Sequence, residues 1–210
     1  MTAAAAQPGR AWWLKTLYRW HWISSAIALL GMLLFAATGL TLNHAAQIEA
    51  RPVVVARKAT VPAALLAAHA PRAGDKKRDA PLPADLADWI ARALQVDVHG
   101  RSAEWSADEL YVAMPRPGGD AWVRIDRASG EAEMEDTRRG WVSWLNDLHK
   151  GRSAGTAWSW FIDAFAVACL VFTITGLVIL KMHAGNRPGT WPLVGLGVLL
   201  PVLLALLFIH

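Results

Sequence analysis

Three runs of apolar side chains dominate the pattern of the chain. From Ile23 to Leu42 no side chain is charged, from Ala157 to Leu180 the one charge is Asp163, and from Pro192 to Ile209 there is none. A helix needs about 20 apolar residues to cross the hydrocarbon core of a bilayer. The three runs therefore predict three spans, the last kinked or locally distorted at Pro201. Between the first two runs the pattern changes. Ala84 to Leu94 carries Leu86, Trp89, Ile90, Ala93 and Leu94 at helical spacing, with Asp85 favouring its N-terminus. Polar and apolar positions then alternate through Ala103–Ser106, Glu109–Met114, Ala121–Asp126 and Glu131–Met134, with turn residues between. That predicts a meander of three or four short antiparallel strands, one face covered by the helix. Gly140 to Lys150 reads as an amphipathic segment lying in the membrane interface.

The expected fold is thus a membrane α-helical protein with three transmembrane helices and an α+β insert. Its parts are a tail and first span (1–44), a linker (45–83), the helix plus meander (84–139), an interfacial segment and second span (140–183), and a third span (191–210). The linker assignment rests on five prolines and the charged run Asp75-Lys-Lys-Arg-Asp, with one short helix at Ala63–His69. Met1 to Arg10 reads as a frayed tail.

Composition agrees with this division. Hydrophobic residues make up 54% of the chain and charged residues 18%, which excludes an ordinary soluble domain. Of twelve tryptophans, Trp12, Trp13, Trp20 and Trp22 precede the first span, and Trp141, Trp144, Trp158 and Trp160 crowd the start of the second. This is the aromatic belt of a membrane interface. The net charge of +4 is spread along the chain near the ends of the apolar runs, as headgroup anchors rather than a nucleic-acid patch. Lys181 and Arg187 lie in the short loop between the second and third runs, and short loops rich in Lys and Arg stay inside. The N-terminus is therefore expected in the cytoplasm of a bacterial inner membrane, with residues 45–155 periplasmic. The first apolar run exceeds a signal-peptide core and is expected to be retained. The single cysteine, Cys169, excludes an intrachain disulfide and reads as a small buried residue.

Histidine supplies the candidate chemistry. His21 and His44 bracket the first span, and His149 and His183 bracket the second. Antiparallel helices pair His21 with His183 and His44 with His149. Opposed neutral imidazoles hold haem iron when each ring's other N–H has a fixed acceptor. Interfacial histidine is also ordinary, since a half-polar ring is comfortable there. Residues 21 and 44 are ~35 Å apart on an ideal helix, so the pattern admits two haems or one, held by His44 and His149. Gly39 and Gly176 admit either a flat macrocycle or close helix packing, with Thr38 and Thr175 beside them. Asp163 either relays protons or stays hydrated near the headgroups, and Met182 reads as filler. His69, His99 and His210 read as solvent or linker histidines. No Ser/His/Asp set, phosphate loop, CxxC or HExxH is present.

Several segments in order resemble the PepSY-associated transmembrane family. They are Ala37-Thr38-Gly39-Leu40 closing the first span, Trp122–Ala132 (WVRIDRASGEA), Leu148-His-Lys-Gly151, and Ile174-Thr175-Gly176-Leu177 closing the second. The resemblance runs from Tyr18 to His183 and makes 84–139 PepSY-like. Larger members are similar to inner-membrane ferrisiderophore reductases with histidine-ligated b-type haems. The resemblance implies haem b, one or two per chain, on His21, His44, His149 and His183. It implies electron transfer from a cytoplasmic or quinol donor to a periplasmic metal chelate in metal uptake. Larger members have more spans, so it also implies a homodimer or a partner protein. The rival expectation is a haem-free accessory protein whose insert binds a periplasmic partner or restrains a peptidase.

Overall fold

The computed structural model describes residues 9–48, 51–70 and 77–209. His210, most of the predicted frayed tail and the start of the charged run at Asp75 lie outside them. The chain divides into two compact units, Met1–Leu33 with Phe161–His210, and Leu34–Trp160.

Three helices are long and apolar enough to cross a membrane. They are α1 (Arg10–Asn43), the fifth helix (Thr156–His183) and the last (Thr190–Phe208). The first two exceed the apolar runs that predicted them, because the flanking Trp- and Lys/Arg-bearing turns remain helical. The last helix continues on both sides of Pro201.

The insert is larger than predicted. It is a six-stranded antiparallel sheet in the order β1-β6-β5-β4-β3-β2. The strands are β1 (Val53–Thr60), β2 (Arg78–Pro81), β3 (Ser102–Trp105), β4 (Glu109–Arg116), β5 (Gly119–Asp126) and β6 (Glu131–Arg138). Helices α2 (Ala63–Ala68) and α3 (Ala84–Ala93) interrupt them. The predicted meander is β3 to β6. The segment read as linker instead supplies both edge strands, because its prolines flank the strands rather than interrupt a central one. Pro52 and Pro62 bracket the Val-rich β1, and Pro81 ends β2 at the sheet's edge. Strand β1 pairs along its whole length with β6, from Val53 opposite Arg138 to Thr60 opposite Glu131.

Period-two alternation places the core. Leu110, Val112 and Met114 of β4, Val123 and Ile125 of β5, and Ala132 and Met134 of β6 face inward. Leu86, Ala87 and Ile90 of α3, followed by Leu94, complete the core. Ile90 and Leu94 are fully buried, each contributing about 1.5–3 kcal/mol by removal from water. The other face is charged: Lys58 and Arg124 both bind Glu133, holding its carboxyl below the usual carboxylate range.

The 34–160 unit also contains α4 (Trp141–Lys150), the predicted amphipathic segment. It ends at Gly151 in the left-handed region (φ 67°), whose N–H returns to the Leu148 carbonyl. Gly118, in the β4–β5 turn at φ 71°, donates its N–H to Asp147 Oδ2 at 2.9 Å. The buried Asp147 thereby fixes α4 to the sheet. The fifth and last helices are α5 and α6 below, separated by a single 3-10 turn at Ala184–Asn186.

Candidate functional site

Two of the four predicted histidines sit in built stations of one design. In the first unit, α1 carries His21 against α5. Its ring stacks on Phe172 with centroids 4.9 Å apart and planes 17° apart. Its Nδ1 lies 3.0 Å from Thr175 Oγ1 and 3.2 Å from the Phe172 carbonyl. A Cβ placed on Gly176 would stand 3.1 Å from His21 Cε1.

In the second unit, α4 carries His149 against the end of α1. Its Nδ1 lies 2.8 Å from Thr38 Oγ1, and its ring is tilted 44° against Phe35 at 5.0 Å. A Cβ on Gly39 would stand 3.6 Å from His149 Cε1. Both glycines thus make room for an imidazole edge.

Proton positions follow from what each partner can donate. A carbonyl only accepts, so contact with Phe172 O requires a proton on His21 Nδ1. The Thr175 hydroxyl gives its one hydrogen to the Val171 carbonyl at 2.6 Å and therefore accepts from His21. Thr38 Oγ1 lies 2.9 Å from Leu34 O and 2.8 Å from His149 Nδ1, and it accepts from His149 when its own hydrogen goes to Leu34. A neutral ring whose Nδ1 carries the proton keeps its lone pair on Nε2 for a ligand. Thr38 and Thr175 are both buried, which fixes the acceptors.

His44 and His183 stand at exposed helix ends. His44 Nδ1 donates to its own-helix Leu40 carbonyl at 3.0 Å, and His183 Nδ1 to Ile179 O at 2.9 Å. His183 Nε2 lies 3.1 Å from the Tyr18 hydroxyl. Among the described residues no hydrogen bond or ring contact joins His21 to His183 or His44 to His149.

Residues 12–210 match the family described as Putative PepSY_TM-like. The chain belongs to that family. With its three long apolar helices it is a membrane protein. No curated protein and no solved structure matches it.

For this PepSY_TM-like chain, sequence reasoning missed Phe35 and Phe172, which lie three residues before the two threonines. The signal was present: Phe-x-x-Thr-Gly-Leu occurs at 35–40 and again at 172–177. It also missed Tyr18. His69 and His99 are structural rather than free. His69 Nε2 meets Asp85 at 3.0 Å, joining α2 to α3 and lowering the Asp85 pKa. His99 bridges Asp88 at 2.9 Å and Asp97 at 2.7 Å, which raises its pKa. Asp163 is exposed on α5. Among the described residues no three His, Cys, Asp or Glu side chains group as they would around a bare metal ion; a bis-imidazole site needs only two.

Proposed function

We propose that this protein is a bacterial inner-membrane b-type haem protein that passes electrons to a periplasmic acceptor, a ferric-siderophore or other metal chelate. His21 and His183 would hold the iron of one haem, and His44 and His149 that of the other. One observation carries the reading. All four imidazoles set Nδ1 against an oxygen, so Nε2 is the ring nitrogen not used in that contact. A proton on Nδ1 gives the tautomer an axial ligand needs, and an oxygen acceptor on the far nitrogen makes the ring more basic.

The residues divide the work. Thr38 and Thr175 set ring orientation, Phe35 and Phe172 restrict ring rotation, and Gly39 and Gly176 admit the ring edge. The Tyr18 hydroxyl holds His183 Nε2 at 3.1 Å and would have to release it for that nitrogen to hold iron. Apolar span residues exclude water. Haem, when bound, supplies a one-electron couple that no side chain here provides. A cytoplasmic or quinol donor is oxidised and the ferric chelate is reduced by one electron. Lys181 in the last turn of α5 and Arg187 in the short α5–α6 connection support a cytoplasmic location for that turn and a periplasmic one for the insert.

The test is the absorption spectrum of the protein purified in detergent. The expected result is a Soret band with sharp α and β bands after dithionite and no shift with carbon monoxide, because both axial positions are filled. Protein without pigment, expressed with ample haem supply, overturns the reading in favour of a haem-free accessory protein.

A further inference from the structure

The insert holds a second site that the histidine stations do not touch. A cavity of about 320 Å³ opens on the core face of the sheet, beyond the end of α3. That volume is within the range of small-ligand pockets, about 300–1,000 Å³. Four guanidinium groups line it: Arg57, Arg101, Arg116 and Arg138. Only two carboxylates stand among them, Asp97 and Asp136.

The acids are already engaged. Asp97 Oδ1 takes the backbone N–H of His99 at 3.0 Å and its Nδ1 at 2.7 Å. Asp136 is shared by Arg116 and Arg138. Arg57 makes no ion pair among the described residues; Nη1 donates to the carbonyls of Leu94 at 2.9 Å and Gln95 at 3.4 Å, at the end of α3. Gln95 holds φ 54°, a left-handed conformation unfavourable for a residue with a side chain. It turns its carbonyl, with that of Leu94, onto Arg57. Among the described residues no carboxylate lies in salt-bridge range of Arg101.

Four cations against two acids leave a local excess of two positive charges, a focused field that attracts an anion. The cavity wall is not uniformly polar. Met114, Ala121 and Met134, all nearly buried, contribute to its lining. An inorganic oxyanion gains nothing from such a surface, whereas a carbon skeleton covers it. The planar guanidinium fork fits carboxylate oxygens in pairs. We propose that this cavity binds a small organic polycarboxylate, with Arg101 and Arg57 as its principal partners. The proposal is independent of haem and of the direction of electron flow.

Isothermal titration of the full-length protein in detergent at low salt tests it, with citrate as probe. Citrate is expected to bind saturably and inorganic phosphate at least about ten-fold more weakly. Arg101→Gln should weaken citrate about ten-fold, the loss of one charge-assisted pair. Arg101→Lys, keeping the charge without the fork, should fall between Arg101→Gln and the native chain. Arg124→Gln, on the outer face with Glu133, should leave binding unchanged. Absence of saturable citrate binding overturns the proposal. So does an Arg101→Gln protein, its melting temperature unchanged, that binds citrate as the native chain does. Phosphate binding as tight as citrate overturns the organic part and leaves a plain anion patch.

Discussion

His21 and His149 have the same three kinds of neighbour but rest on different foundations. His21 belongs to a helix of 34 residues and has two acceptors for its Nδ1–H, Thr175 and the Phe172 carbonyl. His149 belongs to a helix of 10 residues and has one, Thr38. The short helix is held by what surrounds it. Asp147 takes the Gly118 N–H, Thr41 donates to Asn146 at 2.8 Å, and Trp158 Nε1 reaches the Leu148 carbonyl at 2.9 Å. The difference teaches that one station is a helix–helix contact, self-sufficient within its spans. The other depends on a folded insert, so its geometry reports on the state of the sheet.

The strongest way to break the comparison is Gly118→Ala. The new Cβ would lie 2.7 Å from Trp144 Cβ and 2.8 Å from its Cα, at a φ of +71°. Overpacking against backbone plus a left-handed alanine should cost about 3 kcal/mol. Thermal denaturation should show a destabilised insert, and pigment held by His149 should fall while that held by His21 stays.

Next in size, removal of the threonine hydroxyls should separate the stations. Thr38→Val leaves the half-buried His149 Nδ1–H without its acceptor, at a cost of about 1–3 kcal/mol. Thr175→Val leaves His21 the Phe172 carbonyl and should cost under about 1 kcal/mol. Equal losses in chemical denaturation would show that the second acceptor does not matter.

The glycines should reverse the order. Gly176→Ala sets a methyl 3.1 Å from His21 Cε1, tight enough to push the ring, whereas Gly39→Ala meets His149 at an ordinary 3.6 Å. Helix propensity favours alanine by about 1 kcal/mol at both. Gly39→Ala should therefore raise the melting temperature, and Gly176→Ala should leave it flat or lower it.

The smallest effect sharpens the link to the insert. His99, held by Asp88 and then Asp97, has its pKa raised above 6.5. A raised folded pKa stabilises fully below the unfolded value and is lost as pH rises through the folded one. Insert stability should therefore decline modestly as pH rises from about 6.5. His99→Asn should flatten that slope in melts across pH.

Spans, α3, α4 and the central strands were legible in the sequence because burial imposes period there: unbroken apolar runs in lipid, period 3.6 in α3, period two in β4 and β5. Strands β1 and β2 were not, since edge strands face water on one side and tolerate Pro52, Pro62 and Pro81 at their ends. Of the two stations, His21, His149 and both Thr-Gly pairs were legible by position. Which threonine meets which histidine was not. His21 meets Thr175, 154 residues away, and His149 meets Thr38, 111 away; only tertiary packing sets such pairs. The charge of the cavity beside α3 was equally hidden, since its four arginines come from four separate segments.

The central claim is that each histidine pair holds its own haem. Haem-to-protein stoichiometry, measured on purified native chain and on single alanine variants, tests it most directly. The account predicts that His149→Ala and His44→Ala remove or convert to high-spin the same fraction of pigment, and that His21→Ala and His183→Ala remove the remaining, separate fraction. Unchanged haem content and spin state in all four variants would contradict it.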